Sequence, residues 1–240
     1  MGKMQLHAAN TSVFILAAGR GERMRPLTDS LPKPLLQVNG KSLLEYHLER
    51  LKNQGFRNIV INIDHFGEKI IEAIGNGNQF GLNIHYSDER STGALETAGG
   101  IHRALPLFDS DTIIVINGDI WSDFDYTKLL PLSTQLATLV LVENPAHNTN
   151  GDFSICAKTD GQCNATTPKS DEKTYTYSGI GLYKKALFND LTAGKSKLAP
   201  LLYNAAEENQ LGAIIHEGDW FDIGTPERLE EINCLVQKRL

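Results

Sequence analysis

The first forty residues join a short apolar strand to a loop that is rich in glycine and arginine. Residues 12–18 have the apolar character of a buried strand, and Gly19 and Gly21 follow at once. Because glycine has no Cβ, such a loop lets backbone N–H groups approach a ligand closely. A loop of this kind after a strand can wrap a polyphosphate, so the pattern predicts a triphosphate site. The cations that would neutralise the phosphates are Arg20, Arg23, Arg25 and Lys33.

Strands and helices alternate through the first half of the chain. Further strands are predicted at 58–63, 82–86 and 112–117, and helices at 42–54, 66–74 and 95–105. Ser42 and Glu45 have the spacing of a capping box at the start of the first helix. Strands separated by helices indicate right-handed βαβ units and a parallel sheet. The fold class predicted is therefore α/β, a single Rossmann-like domain whose mixed, mostly parallel central sheet is flanked by helices.

The second half contains more strand and less helix. Strands are predicted at 135–143, 151–158, 174–183 and 211–216, and helices at 184–191, 198–209 and 226–239. Thr225 is the expected N-cap of the last helix. The polar segment 159–173 is expected to be a hairpin or a mobile loop. Residues 1–240 are thus predicted to form one domain, with a nucleotide-binding half at 12–134 and a sugar-phosphate-binding half at 135–240.

Composition excludes several classes of partner. The 240 residues carry a formal net charge of −6, and no basic stripe of a nucleic-acid-binding protein is present. No apolar run approaches the roughly 18–20 residues that span a bilayer. The three cysteines lack metal-ligand spacing, and no secretion signal is recognised, so a cytoplasmic protein with reduced thiols is expected. The absence of a C-terminal assembly domain favours a monomer over an oligomer.

Three residues outside the glycine loop favour phosphate chemistry. Two prolines fix the backbone on either side of Lys33, as a rigid phosphate clamp requires. Asp119 follows the most apolar strand, where ligands of open α/β sheets lie, although an aspartate there can also cap a helix. Asp222 lies in an apolar run before the last helix, which it could cap less well than Thr225. Two carboxylates that converge on a triphosphate suit Mg²⁺, so Asp119 and Asp222 are the predicted metal ligands.

These residues resemble the signature of the sugar-1-phosphate nucleotidyltransferases. Gly-x-Gly-x-Arg at 19–23, Pro-Lys-Pro at 32–34, the aspartate at 119 and Asp-x-Gly-Thr at 222–225 occur in the order of that family. Within the family, the chain is most similar to the N-acetylmuramate α-1-phosphate uridylyltransferases of cell-wall recycling. The segments that carry this narrower resemblance are 95–100 (Leu-Glu-Thr-Ala-Gly-Gly), 117–121 (Asn-Gly-Asp-Ile-Trp), 151–153 (Gly-Asp-Phe), 177–180 (Tyr-Ser-Gly-Ile) and 197–202 (Lys-Leu-Ala-Pro-Leu-Leu).

The resemblance implies an enzyme that joins UTP and a sugar 1-phosphate into a UDP-sugar and pyrophosphate with Mg²⁺. Catalytic roles fall to Arg23 on the leaving phosphates, Lys33 on the α-phosphate and Asp119 on the metal. The implied nucleotide-binding residues are Leu16, Ala17, Ala18, Gly19, Gly21, Glu22, Arg23, Lys33, Glu96, Gly99 and Asn117. The implied sugar-phosphate-binding residues are Asn117, Asn144, Gly151, Asp152, Ser178 and Lys197. The implied metal ligands are Asp119 and Asp222.

The chain also departs from the family pattern. Many relatives have glycine where this chain has Glu96, and the Glu-Lys-Pro that contacts the sugar phosphate in many relatives is missing from 167–174. Lys169, Lys173 or Lys197 could replace that lysine. Two alternatives stay open for function: another substrate pair, such as GTP with mannose or heptose 1-phosphate or dTTP with glucose 1-phosphate, and a non-catalytic subunit that binds nucleotide sugars.

Overall fold

The computed structural model describes residues 6–132, 135–157 and 163–238. In that part of the chain, five α-helices and thirteen strands are connected mostly by short loops and 3-10 turns. The strands are β1 Ser12–Leu16, β2 Gln37–Val38, β3 Lys41–Ser42, β4 Asn58–Ile63, β5 Asn83–Asp88, β6 Thr112–Asn117, β7 Ile120–Ser122, β8 Ala137–Val142, β9 Phe153–Ala157, β10 Cys163–Thr166, β11 Thr174–Lys184, β12 Leu211–Ile215 and β13 Trp220–Asp222. The helices are α1 Leu43–Asn53, α2 Gly67–Ile74, α3 Glu96–Ala104, α4 Leu198–Glu207 and α5 Pro226–Gln237.

The central sheet is mixed and mostly parallel, as the sequence predicts. Its order within the described residues is β5-β4-β1-β6-β11-β8-β12-β10-β9. The four strands β5, β4, β1 and β6 pair in parallel, and β11 pairs antiparallel with both β6 and β8. All parallel neighbours in the first half therefore end at one edge of the sheet, which is where an open α/β fold places its ligands.

The core explains why successive residues of β1 after Ser12 are all apolar. Val13 and Ile15 face a cluster that includes Leu48 of α1, whereas Phe14 faces a second cluster that includes Ile101 of α3. Successive side chains of a strand point to opposite faces, so a strand covered on both sides needs apolar residues throughout. A third, smaller cluster joins α5 to Ile223 and fixes the segment after β13.

The structure confirms the capping box of α1 and corrects several predicted elements. Ser42 accepts from the backbone of Glu45, whose side chain accepts from the backbone N–H of Ser42. The helix predicted at 184–191 is wrong: Lys184 ends β11, and only a 3-10 turn forms at Lys185–Phe188, because the amides of Asn189 and Leu191 bond to carbonyls three residues back. The N-cap position of α5 is Thr225, but its side chain makes no capping bond to the helix.

Of the two alternatives predicted for 159–173, the hairpin is confirmed, because strand β10 pairs antiparallel with β9. Strand β10 also pairs with β12. Its buried Asn164 accepts from the Gln135 amide at 2.6 Å, which removes the cost of a polar side chain inside the sheet. Three of the predicted segments end outside the described residues, at Thr134, Lys158 and Arg239. No helix in the described part of the chain is both long and apolar enough to cross a membrane.

His47 of α1 gives the fold a measurable pH dependence. Burial lowers the pKa of this fully enclosed imidazole from 6.5 to about 4. Because the folded-state pKa lies below the unfolded one, stability is complete above pH 6.5 and is lost as the pH falls towards 4. Near pH 5.5 the expected loss is on the order of 1 kcal/mol. Urea unfolding of His47→Leu should show less of this loss, with His85→Leu, an exposed histidine on β5, as the control; equal pH slopes in wild type and His47→Leu would contradict the assignment.

Candidate functional site

A cleft of about 220 Å³ opens at the carboxyl ends of β1, β4 and β6. We call it the loop cleft, because the chain that follows β1 forms one of its walls. It contains eight residues that the sequence assigned to a ligand: Leu16, Ala17, Ala18, Gly19, Lys33, Glu96, Asn117 and Asp119. It also contains Pro34, Asn62, Glu89, Ala94 and Thr97.

Lys33 and Asp119 form the main ion pair of the loop cleft. Their Nζ and Oδ2 atoms lie 2.5 Å apart, although 86 residues separate them in the chain. Pro32 is extended and a single 3-10 turn follows at Lys33–Leu35, so the backbone directs the lysine inward. Lys33 is only 7% exposed. A buried ammonium is costly without an opposite charge, and Asp119 supplies it.

Asp222 lies beside Asp119 in the backbone but has a different side-chain environment. Strand β13 pairs with β7 so that the Ile223 amide donates to the Asp119 carbonyl at 3.0 Å. The Asp222 carboxylate accepts from Arg228 Nη1 at 2.7 Å. It lines a separate cleft of about 480 Å³, which we call the Asp222 cleft, together with His147, Trp220 and Glu231. The structure thus places Asp119 in the turn between β6 and β7, next to the end of β13 that carries Asp222. The two carboxylates line different clefts, and each is paired with its own cation.

Arg23 lies on the same side of the molecule as this pair of strands. Its side chain is exposed on the 3-10 turn Glu22–Met24, as is that of Glu22. A Cβ placed on Gly224 would lie 3.4 Å from Arg23 Nη2 and 3.1 Å from Arg228 Nη1, so the two guanidinium groups flank Gly224. The glycine loop therefore brings Arg23 next to the segment that carries Asp222.

A wider cleft of about 580 Å³ adjoins the loop cleft and shares Glu96, Thr97 and Asn117 with it. We call it the wide cleft. Asp152 and Lys197 line it, as do apolar residues of α4 and its surroundings: Phe153, Tyr177, Leu198, Ala199, Leu202 and Tyr203. Lys173 instead pairs with Glu143 at 2.8 Å, and Lys169 lines none of the three clefts. Of the three candidate lysines, Lys197 is the one that the fold places in a cleft.

Four of the predicted ligand residues hold the protein itself together. The Ser178 hydroxyl is buried in a bulge of β11, where it donates to the Val140 carbonyl at 2.7 Å. Asn144 bonds to Thr174 and Thr176 and lies next to Gly151. The Gly99 amide donates to the Ser196 carbonyl at 3.1 Å. Ser178, Asn144, Gly151 and Gly99 are absent from the walls of the three clefts, and their ligand roles stay predictions.

The sequence did not single out the buried polar pair Asn62 and Glu89. Asn62 accepts from the Ala17 amide at 2.6 Å and donates to Glu89 Oε1 at 2.8 Å. Glu89 Oε2 accepts from the Leu95 amide at 2.9 Å. Burial raises the pKa of the Glu89 carboxyl, and its hydrogen bonds oppose that shift. This network fixes the start of the glycine loop to the start of α3. The only signal for it in the sequence was the position of Asn62 and Glu89, two polar residues at the ends of apolar strands.

The donor set fits a divalent cation that is partly held by phosphate. In the described residues, no group of three or more His, Cys, Asp and Glu side chains could hold a metal ion. The hydrogen bonds and ion pairs of the Asp119 and Asp222 carboxylates found there all use Oδ2. Mg²⁺ commonly takes one or two carboxylates together with substrate phosphates and water, so the remaining oxygens suit it.

Comparison with known proteins agrees with this fold. The family model for nucleotidyl transferases matches residues 12–239. An N-acetylmuramate α-1-phosphate uridylyltransferase from Neisseria meningitidis is 45% identical over 230 residues, which cover 93% of this chain and 97% of that protein. A protein of the same name from Caulobacter vibrioides is 30% identical, over 89% of this chain and 92% of its own.

A solved structure supports the fold. HddC from Yersinia pseudotuberculosis, complexed with GMP-PN, matches with a TM-score of 0.74 at 24% identity and covers 94% of this chain and 99% of its own. The α/β domain, with a cleft at the carboxyl edge of its sheet that contains Lys33 and Asp119, agrees with the match to the family model for nucleotidyl transferases. The chain belongs to the nucleotidyl transferase family.

Two glycines of the loop should respond differently to alanine. Gly21 has φ +63°, and a Cβ there would lie 3.1 Å from both Lys33 Cβ and Thr28 Cγ2, so Gly21→Ala should destabilise the fold by about 1–2 kcal/mol. A Cβ on Gly19 meets nothing within 4 Å, so Gly19→Ala should fold normally yet obstruct the loop cleft. We expect UTP binding by Gly19→Ala to weaken on the order of tenfold, or ~1.4 kcal/mol. Urea unfolding and calorimetric UTP titration measure the two effects; wild-type affinity in Gly19→Ala would remove the loop from the site.

Proposed function

We propose that this protein transfers the uridylyl group of UTP to a sugar 1-phosphate and releases pyrophosphate. The observation that carries the proposal is the buried Lys33–Asp119 pair in a cleft that shares a wall with a wider one. Two adjoining clefts suit two substrates, and a buried ion pair at the first of them suits charged phosphates. The 45% identity to an N-acetylmuramate α-1-phosphate uridylyltransferase makes UTP and N-acetylmuramate α-1-phosphate the proposed pair.

In this reaction, an oxygen of the sugar phosphate attacks the α-phosphorus of UTP while the bond to the β-phosphate oxygen breaks. The products are a UDP-sugar and pyrophosphate, and no protein nucleophile is needed because the attacking phosphate is already an anion. Repulsion between the two anions is the main obstacle. Lys33, held by its two prolines, would neutralise the α-phosphate, and Arg23 the leaving phosphates. Mg²⁺ would supply further positive charge at the phosphates when held by Asp119 and Asp222.

The wide cleft would hold the sugar. Its apolar wall on α4 suits the acetyl and lactyl methyl groups of N-acetylmuramate, and Lys197 at the start of α4 offers a cation to an acidic substituent or a phosphate. Asp152 would accept from sugar hydroxyl groups, and it already accepts from the Tyr177 amide at 2.8 Å, which fixes its orientation.

The cellular setting proposed is cell-wall recycling in the cytoplasm, by a monomer. N-acetylmuramate is a peptidoglycan sugar, which links the proposed substrate to that process. The exposed large apolar side chains of the described residues are Leu27, Ile71, Leu107 and Tyr203, and they lie in four different segments of the chain. None of these segments carries two of them, so none offers an apolar face for an obligate interface, which supports the monomer.

Removal of either partner of the buried ion pair should reduce the reaction strongly. We expect Lys33→Ala and Asp119→Ala each to lower kcat/KM by ~10²-fold or more, on the order of 3 kcal/mol of transition-state stabilisation. Pyrophosphate release from UTP and the sugar phosphate is the measurement. Lys52→Ala, at an exposed lysine of α1, is the control. Near-normal rates in Lys33→Ala or Asp119→Ala would refute the roles proposed for them.

A substrate screen tests the identity of the pair. Pyrophosphate release should be greatest with UTP and N-acetylmuramate α-1-phosphate among four nucleoside triphosphates combined with several sugar 1-phosphates. A preference for GTP with mannose or heptose 1-phosphate, or for dTTP with glucose 1-phosphate, would assign another substrate pair to the same chemistry. Binding of UDP-sugar without turnover of any pair would indicate a nucleotide-sugar-binding subunit instead.

A further inference from the structure

We infer that Arg228 is a positioning residue that orients Asp222 for the metal ion. The inference rests on the proposed function and concerns a residue that none of the sequence motifs includes. Arg228 lies in the first turn of α5, six residues after Asp222, and its side chain is 19% exposed. It therefore reaches back from the helix onto the segment that connects β13 to α5.

The contacts of Arg228 fix both the backbone and the side chain of Asp222. Its Nη1 atom donates to the Asp222 carbonyl at 3.1 Å and to the Asp222 carboxylate Oδ2 at 2.7 Å. The same nitrogen lies 3.3 Å from His147 Nε2, which in turn lies 3.3 Å from Oδ2. Arg228 thus holds both the carboxylate Oδ2 and the backbone carbonyl of Asp222. These two contacts keep the Asp222 side chain in a single rotamer.

The arrangement leaves one carboxylate oxygen for a cation. The ion pairs of Asp222 within the described ranges go through Oδ2, so Oδ1 is the oxygen that can enter a metal coordination sphere. Asp119 is arranged in the same way, since Lys33 also contacts its Oδ2. Ligating carboxylates are typically hydrogen-bonded by an outer set of residues, and loss of such a partner commonly weakens metal affinity by roughly 10- to 100-fold.

A competing effect has the opposite sign. The positive charge of Arg228 also repels a divalent cation, so its removal would strengthen metal binding if repulsion outweighed orientation. Asp222 and Arg228 are partly solvent-exposed, at 24% and 19%, and solvent weakens the repulsion. Orientation of the Asp222 carboxylate depends only on the short contacts with Arg228, which solvent does not remove. We therefore expect the loss of orientation to affect metal binding more than the loss of repulsion.

The test is a titration of the enzyme into a Mn²⁺–UTP mixture, without a sugar phosphate, followed by the relaxation rate of water protons, which distinguishes the enzyme-bound ion from the Mn²⁺–UTP complex in solution. No turnover occurs in this mixture, so the result does not depend on the transferase reaction. We expect Arg228→Gln to raise the Mn²⁺ dissociation constant roughly 10-fold or more. Arg228→Lys, which keeps the charge and one donor group, should recover part of the loss. Arg57→Gln is the matched control, since Arg57 also makes two backbone hydrogen bonds but precedes β4 at the opposite edge of the sheet.

Steady-state kinetics complete the test. With Arg228→Gln, excess Mn²⁺ should restore kcat, and KM for the sugar phosphate should stay within twofold of wild type. Unchanged or tighter Mn²⁺ binding by both Arg228 variants would overturn the inference, as would a raised KM for the sugar phosphate with normal metal affinity, which would make Arg228 a direct phosphate ligand. Thermal unfolding confirms that each variant is folded, and Arg228→Lys decides the matter if Arg228→Gln is not. Absence of transferase activity in the wild type would refute the proposed function alone.

Discussion

The buried lysine of the Pro-Lys-Pro segment is the constraint on which the site depends. Burial of Lys33, which is 7% exposed, costs desolvation free energy that a close anion offsets, and Asp119 in the turn after β6 supplies that anion. The pair therefore fixes the loop after β1 to the end of β6, two segments that lie far apart in sequence. Gly21 packs against the stem of the same lysine, so the glycine loop, the lysine and Asp119 form one rigid unit.

The same balance of charge is repeated one strand away. Asp222 is held by Arg228 as Asp119 is held by Lys33, so both carboxylates already have cationic partners. A nucleoside triphosphate that arrives with a divalent ion brings both signs of charge. In the proposed reaction, Lys33 and Arg23 would contact phosphate oxygens while the two carboxylates would hold the metal ion. On that proposal, the Lys33–Asp119 ion pair balances the charges of both residues until the substrate binds.

The elements that could be predicted from the sequence are those with a long periodic signal. The bounds of β4 and β6 agree with the prediction, and the capping box of α1 is present, because a buried strand and a capped helix each leave a pattern of several residues. The two strands β7 and β13 have three residues each, too few to show a period of two. They were missed, although their pairing is what brings Asp222 next to Asp119.

The position of the site could be predicted from the order of the strands along the chain. The hydrogen-bond partners of single side chains could not, because they depend on tertiary contacts. Gly19, Lys33 and Asp119 meet at the carboxyl edge of a parallel sheet, as topology requires. Ser178 and Asn144 resemble ligand residues in sequence, but a bulge in β11 and the loop after β8 consume their hydrogen bonds within the fold. Nothing in the local sequence distinguishes a serine that faces a cleft from one that closes a bulge.

Glu96 has a strained backbone conformation in the wall between the loop cleft and the wide cleft. It has φ +60°, a conformation that glycine adopts freely and that other residues occupy at a cost of about 1–3 kcal/mol. The backbone there is not free to relax, because the amides of Ala98 and Gly99 both donate to the Ser196 carbonyl and hold the start of α3 against the segment before α4. A carboxylate is thus kept in the wall that the loop cleft and the wide cleft share. Glycine would satisfy the backbone equally well, so the retained strain argues that the side chain acts where the two substrates would meet.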